Sequence, residues 1–148
     1  MDTRDKAYQW IDEHKDEMVS LWKEMVTIDS GIGVRDGGMA MGNLCAGILE
    51  ELGFSIRRVS YEKCGDPIIG ERGDMTKPFT ILMGHMDTVF FKGEPEKRPF
   101  TIKDGKAYGP GVLDMKGGVT ILLSTLKALH EAGFEDFPCK VILDADEE

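Results

Sequence analysis

The sequence predicts an α/β fold with a largely parallel sheet, and three observations carry that prediction. Amphipathic helical patterns alternate with short apolar strand patterns along the 148 residues. Two strand candidates, 79–84 and 139–143, are nearly unbroken apolar runs, the pattern of strands covered on both faces. A hydrophobic share of 41% with 30% charged residues belongs to a folded globular chain and not to a disordered one.

Each element has its own signal. Asp2 or Thr3 can cap a first helix continuing to about Ile28, in which Tyr8, Ile11, Met18, Leu21, Trp22 and Met25 recur at helical spacings and form a core stripe. His14 stands among charges on that helix and is expected to face solvent. Turn residues make Asp29-Ser30-Gly31-Ile32-Gly33 and Arg35-Asp36-Gly37-Gly38 a loop. A second helix is expected over about 39–52, closed by Gly53. Strands are expected over 54–59 and 68–71, then over the apolar run 78–84. Residues 100–107 read as a hairpin turning at Asp104-Gly105, and 118–132 as an apolar helix closed by Gly133. The run 139–143 is the last strand. No internal repeat or interdomain linker interrupts this order.

The formal charge of −9 argues against nucleic acid or an anionic membrane as partner, since both reward clustered Lys and Arg. Cys45, Cys64 and Cys139 are odd in number and contain no C-x-x-C pair, which points to reduced thiols and to neither a disulfide framework nor a thiolate metal site. The charged N-terminus carries no signal-peptide pattern, and no apolar run approaches the roughly 20 residues of a membrane span. A cytoplasmic protein is expected.

Chemistry-bearing residues stand where strands or glycine-rich turns end. His85-Met86-Asp87 follows an apolar strand, and residues two apart share a strand face. Asp87 can then bind one imidazole nitrogen of His85 and leave the other for a metal. Taken alone, H-x-D is a weak signal and more often a surface histidine near an aspartate; its emergence from an apolar core strand brings the metal reading level with that one. Asp114 sits in Gly109-Pro110-Gly111-Val112-Leu113-Asp114-Met115-Lys116-Gly117-Gly118, where glycines permit close approach to a bound group. The bland alternative is a carboxylate favoured near a helix N-terminus. A phosphate-binding loop is excluded, because Lys116 is followed by Gly117 and the G-x-x-x-x-G-K-[ST] element is missing. Glu147 and Glu148 follow Val141-Ile142-Leu143 and would be a solvated acidic tail by composition alone. Position argues otherwise: an open α/β sheet binds ligands at the carboxyl ends of its strands. A mixed nitrogen and oxygen donor set suits Zn²⁺ or another divalent transition ion.

The motifs Gly84-His85-Met86-Asp87-Thr88-Val89, Tyr108 to Gly118, and Asp146-Glu147-Glu148 make the sequence similar to the co-catalytic zinc exopeptidases. That family includes glutamate carboxypeptidase, acetylornithine deacetylase, succinyl-diaminopimelate desuccinylase and aminoacylase. Phe90-Phe91-Lys92-Gly93 and the lead-in from Pro99 to Tyr108 most resemble the glutamate carboxypeptidase branch. The resemblance implies an incomplete three-layer α/β/α catalytic domain and a metal-dependent hydrolase, a carboxypeptidase or an N-acyl-amino-acid deacylase, that uses a metal-activated water. It implies two Zn²⁺ per complete site, with Co²⁺ or Mn²⁺ as substitutes. His85 would bind one metal, Asp114 would bridge both and Glu148 would bind the second. Glu147 would be the general base, Asp87 would orient His85, and a cis peptide would follow Asp114.

Family members continue well past the Glu-Glu pair with a further carboxylate, a lid or dimerisation domain and a late histidine ligand. Residues 1–148 are therefore expected to be the N-terminal portion of such a domain, and to be inactive alone. The expected partners are a small peptide or N-acyl amino acid, with self-association through an exposed sheet edge. The reading from a different class is a non-catalytic binding domain.

Overall fold

The computed structural model describes residues 1–148. The chain begins with two helices where one was expected: α1 spans Thr3–Glu13 and α2 spans Lys15–Thr27. Asp2 caps α1, its carboxylate accepting the Asp5 amide at 2.8 Å. His14 is the break, because its backbone leaves the helical region and its ring stacks on Trp10 with centroids 4.1 Å apart. The side chain is half-buried and Nδ1 lies 2.7 Å from the Trp10 carbonyl, so it is a local brace and not a solvent-facing residue. The expected core stripe holds in part: Met25 of α2 is fully buried and Ile11 of α1 packs on a small cluster of Ala7, Ala128 and Ala132, whereas Tyr8 is exposed.

Helix α3 covers Arg35–Glu51 and starts four residues earlier than its glycines suggested. Those glycines serve packing. A Cβ on Gly37 would lie 1.5 Å from the Asp29 carbonyl oxygen, and one on Gly38 would lie 1.6 Å from that of Cys64. The first turn of α3 thus presses bare backbone against two loops. At the other end Gly53 adopts φ +80 and closes the helix as expected.

The strands are β1 (Ser55–Arg58), β2 (Ile68–Arg72) and β3 (Thr80–His85), and, after the intervening elements, β6 (Cys139–Asp144). Between them lie α4 (Glu94–Lys97), the hairpin β4 (Thr101–Lys103) and β5 (Lys106–Tyr108), and α5 (Lys116–Glu131). The hairpin turns at Asp104 and Gly105 as expected, with positive φ at both positions (52 and 72).

Sheet order is β1-β2-β6-β3. Pairs β1/β2 and β2/β6 are antiparallel and only β3/β6 is parallel, so the α/β class holds but the sheet is mixed rather than largely parallel. The physical reason is the short 59–67 connection, which has no helix to carry the chain back across the sheet for a parallel partner.

Helices α3 and α5 cover one face of the sheet. Met41, Cys45 and Leu49 of α3 and Val119, Leu123 and Leu126 of α5 meet Ile68, Val141 and Leu143 in a single core. Each large apolar side chain buried there stabilises the fold by about 1.5–3 kcal/mol. The opposite face carries Ile69, Ile142 and Met83 in register across three strands. Strand β3 is the sheet edge, and Ile81 (50% exposed) and Met83 (67%) face solvent. The expectation that this run is covered on both faces is therefore wrong. Its apolar sequence continues onto a face that no helix covers.

Candidate metal centre

The one parallel pair builds the site. Because β3 and β6 run in the same direction with His85 opposite Asp144, their carboxyl ends open side by side. The Met86 amide donates to the Asp144 carbonyl at 2.8 Å and extends the pairing past the sheet. His85-Met86-Asp87 and Asp146-Glu147-Glu148 therefore leave from the same rim. The third component is the turn 109–115 between β5 and α5.

Within this group His85 is central and buried. Its Nδ1 lies 3.2 Å from Asp87 Oδ1, and its Nε2 lies 3.1 Å from Asp114 Oδ1 and 3.9 Å from Glu147 Oε2. Donor atoms of His85, Asp114 and Glu148 all fall within 4.8 Å of one another. Asp87 is as buried as His85, and its second oxygen accepts the backbone N–H of Glu148 at 2.9 Å. Asp114 and Glu147 are largely exposed, open to whatever the rim binds. All five residues singled out from the sequence are thus brought together at one rim.

Electrostatics follow the crowding. Burial works against a charged His85, but the Asp114 carboxylate, with Asp87 and Glu147, outweighs it and raises the imidazole pKa. Partial desolvation and then the neighbouring Asp114 push the Glu148 carboxyl up, with His85 pulling the other way. Four carboxylates around one imidazole leave an excess of negative charge that a divalent cation would neutralise. A nitrogen and oxygen donor set of this kind fits Zn²⁺.

Glycines shape the Asp114 turn. A Cβ on Gly111 (φ +69) would lie 2.6 Å from Thr88 Cγ2, and one on Gly117 would lie 2.6 Å from the Val112 oxygen. Trp22 Nε1 donates to the Val112 carbonyl at 2.9 Å and ties the turn to α2. The peptide bond between Asp114 and Met115 is cis.

Residues 81–148 match the model of peptidase family M20/M25/M40. Carboxypeptidase G2 of Pseudomonas sp. (strain RS-16) is 36% identical over 144 residues, covering 95% of this chain and 35% of that protein. The chain belongs to the M20/M25/M40 peptidases. Acetylornithine deacetylase of Proteus mirabilis (strain HI4320), a further relative, is 35% identical over 120 residues, 74% of this chain and 29% of its own length. The crystal structure of human carnosine dipeptidase 1 superposes with a TM-score of 0.80 at 28% identity, covering 97% of this chain and 34% of that one. The chain spans about a third of the length of the relatives it matches.

Several supporting residues of this M20-type rim carry no sequence signal. Tyr61 Oη donates to Asp146 Oδ2 at 2.6 Å and Cys64 Sγ lies 3.2 Å from Oδ1, which ties the 59–67 connection to the Glu147-Glu148 segment. Ser30 Oγ donates to the Met86 carbonyl at 2.7 Å. Lys116 is 1% exposed, and burial pushes its pKa down to about 8 against the opposing pull of Asp29. Its one advance sign was a cation flanked by apolar residues and glycines, where a solvated charge has no obvious place.

Proposed function

We propose that residues 1–148 form the N-terminal part of the catalytic domain of a metal-dependent amidohydrolase, with the lid or dimerisation domain and a C-terminal catalytic segment supplied by further chain. The observation that carries this reading is the convergence of His85, Asp114 and Glu148 from three separate elements to within 4.8 Å. His85 and Glu148 would each hold one Zn²⁺ and Asp114 would lie between them. Bound zinc would polarise an amide carbonyl and acidify a water molecule.

The chain's own residues do the rest. Asp87, held by the Glu148 amide, fixes the His85 ring so that Nε2 faces the rim. Glu147, exposed and beside His85 Nε2, takes a proton from the attacking water and returns it to the leaving amine. The substrate class is a small peptide or an N-acyl amino acid. Carboxypeptidase action is the first reading because carboxypeptidase G2 is 36% identical along 95% of the chain, and N-acyl-amino-acid deacylation is the alternative. The three free thiols support a reducing compartment, the cytoplasm. The unpaired edge of β3, with Ile81 and Met83 exposed, supports self-association.

These 148 residues offer each of two metals only two side-chain ligands, fewer than a catalytic zinc requires. The 148-residue chain is expected to bind zinc weakly and to turn over little. Zinc titration by calorimetry, paired with hydrolysis of C-terminal glutamate peptides and N-acyl amino acids, tests this. Tight binding of two zincs with robust turnover would overturn the claim that the ligand set is incomplete. Binding unaffected by loss of His85 would overturn the site itself.

A further inference from the structure

Lys116 is the longest side chain fully buried in the molecule, and its position disfavours it twice. Burying an ammonium is costly, and Lys116 is also the first residue of α5, where the helix dipole repels a cation. Stability of the fold does not explain a lysine there. Its hydrogen bonding does. Nζ donates to the Ile28 carbonyl at 2.6 Å, while its backbone amide donates to the Gly111 carbonyl at 3.0 Å and closes the turn that carries Asp114.

Ile28 opens the segment that grips the His85 loop. Ser30 Oγ donates to the Met86 carbonyl at 2.7 Å, the Thr88 amide donates to the Ser30 carbonyl at 3.2 Å, and Asp29 Oδ2 accepts the Gly93 amide at 2.7 Å. No backbone hydrogen bond joins the His85 loop directly to the Asp114 turn. Apart from the direct contact of His85 Nε2 with Asp114 Oδ1 at 3.1 Å, the polar route between them runs through Lys116, Ile28 and Ser30.

We propose that Lys116 is a positioning residue whose buried ammonium locks the Asp114 turn to the 28–31 segment and so holds Asp114 in register with His85. The inference rests on the reading of His85 and Asp114 as metal ligands, but its geometry is independent of a metal. Methionine fills a similar volume without the charge, so Lys116→Met breaks the route at one end. Ser30→Ala breaks it at the other.

The test is a double-mutant cycle of K116M and S30A in the 148-residue chain, with two readouts. Amide exchange by NMR without metal should show about tenfold lower protection at Thr88 in either variant, while Val141 and Leu143 in β6 keep theirs. Co²⁺ binding, followed by its visible absorption, should weaken about tenfold in either variant. In both readouts the double variant should be no worse than the single ones, because both changes cut one route. Additive losses, loss of protection throughout β6, or unchanged protection at Thr88 would each overturn the proposal. Co²⁺ binding by the parent chain that persists without His85 would overturn the metal reading instead, and the exchange cycle would still decide the role of Lys116.

Discussion

Asp87 and Glu148 are joined by a hydrogen bond from the Glu148 backbone amide to Asp87 Oδ2 at 2.9 Å, while the other oxygen of Asp87 lies 3.2 Å from His85 Nδ1. One buried carboxylate thus sets the tautomer of the histidine and the placement of the following glutamate. Replacing Asp87 by Asn keeps the shape but makes the group facing Nδ1 neutral. Asp87→Asn should weaken Zn²⁺ or Co²⁺ binding by about 10–100-fold, as loss of such partners does elsewhere. Calorimetric titration of the parent and the variant checks it, and equal affinities would remove Asp87 from the site.

The adjacent glutamates should separate cleanly. Glu148 shares the donor cluster with His85 and Asp114, whereas Glu147 contacts His85 only at 3.9 Å. Glu148→Gln should therefore reduce metal affinity strongly, and Glu147→Gln should leave it near the parent value. The general-base role of Glu147 adds that E147Q costs turnover in any form of the protein that has measurable activity. Equal effects of the two changes on metal binding would refute the division of roles.

Much of this site was legible because its parts stand at local landmarks. His85 and the Glu147-Glu148 pair follow apolar strands, and glycines flag the Asp114 turn. What was not legible depends on pairing across the chain. The antiparallel placement of β2 and the edge position of β3 follow from which strands become neighbours, and that is not encoded in their own apolar patterns. The contacts of Tyr61 and Cys64 with Asp146 span more than 80 residues and have no local signature. Gly37 and Gly38 look like loop residues, yet they are the close-packed first turn of α3.

Two glycines of α3 predict opposite signs for the same substitution. At Gly47 an added Cβ meets nothing within 4 Å, so Gly47→Ala should stabilise by about 0.5–1 kcal/mol through helix propensity. At Gly38 the same gain is overwhelmed, because the methyl group would lie 1.6 Å from the Cys64 carbonyl oxygen and backbone must move. Gly38→Ala should destabilise by about 1–3 kcal/mol or more. Urea unfolding of both variants checks the contrast, and a stabilised G38A would show that the contact is soft.

Cys45 predicts a loss of stability at alkaline pH. Burial raises its thiol from 9.0 to about 12, with Lys116 opposing. Above pH 9 the unfolded chain releases this proton while the folded chain keeps it, so folding stability falls as pH rises from about 9 towards 12. Between pH 8 and pH 10 the group removes about 1.4 kcal/mol. Cys45→Ala lacks the effect, so its urea midpoint should drop less than the parent's over that interval. Parallel drops would mean that the thiol ionises as easily folded as unfolded.

The outer edge of β3 predicts association. Residues 79–83 carry no charge, and their strand has a free row of backbone groups beside the apolar row Ile69–Ile142–Met83. Natural edge strands are commonly protected by an inward or edge lysine, and this one has none between Thr80 and His85. Met83→Lys supplies that charge at a position already 67% exposed, so it should change folding stability by less than about 0.5 kcal/mol. Sedimentation equilibrium should show concentration-dependent self-association of the parent and a shift to monomer for M83K. If the two associate equally, the contact lies elsewhere on the surface. If neither associates, the apolar face is tolerated by the monomer and the edge has no role in assembly.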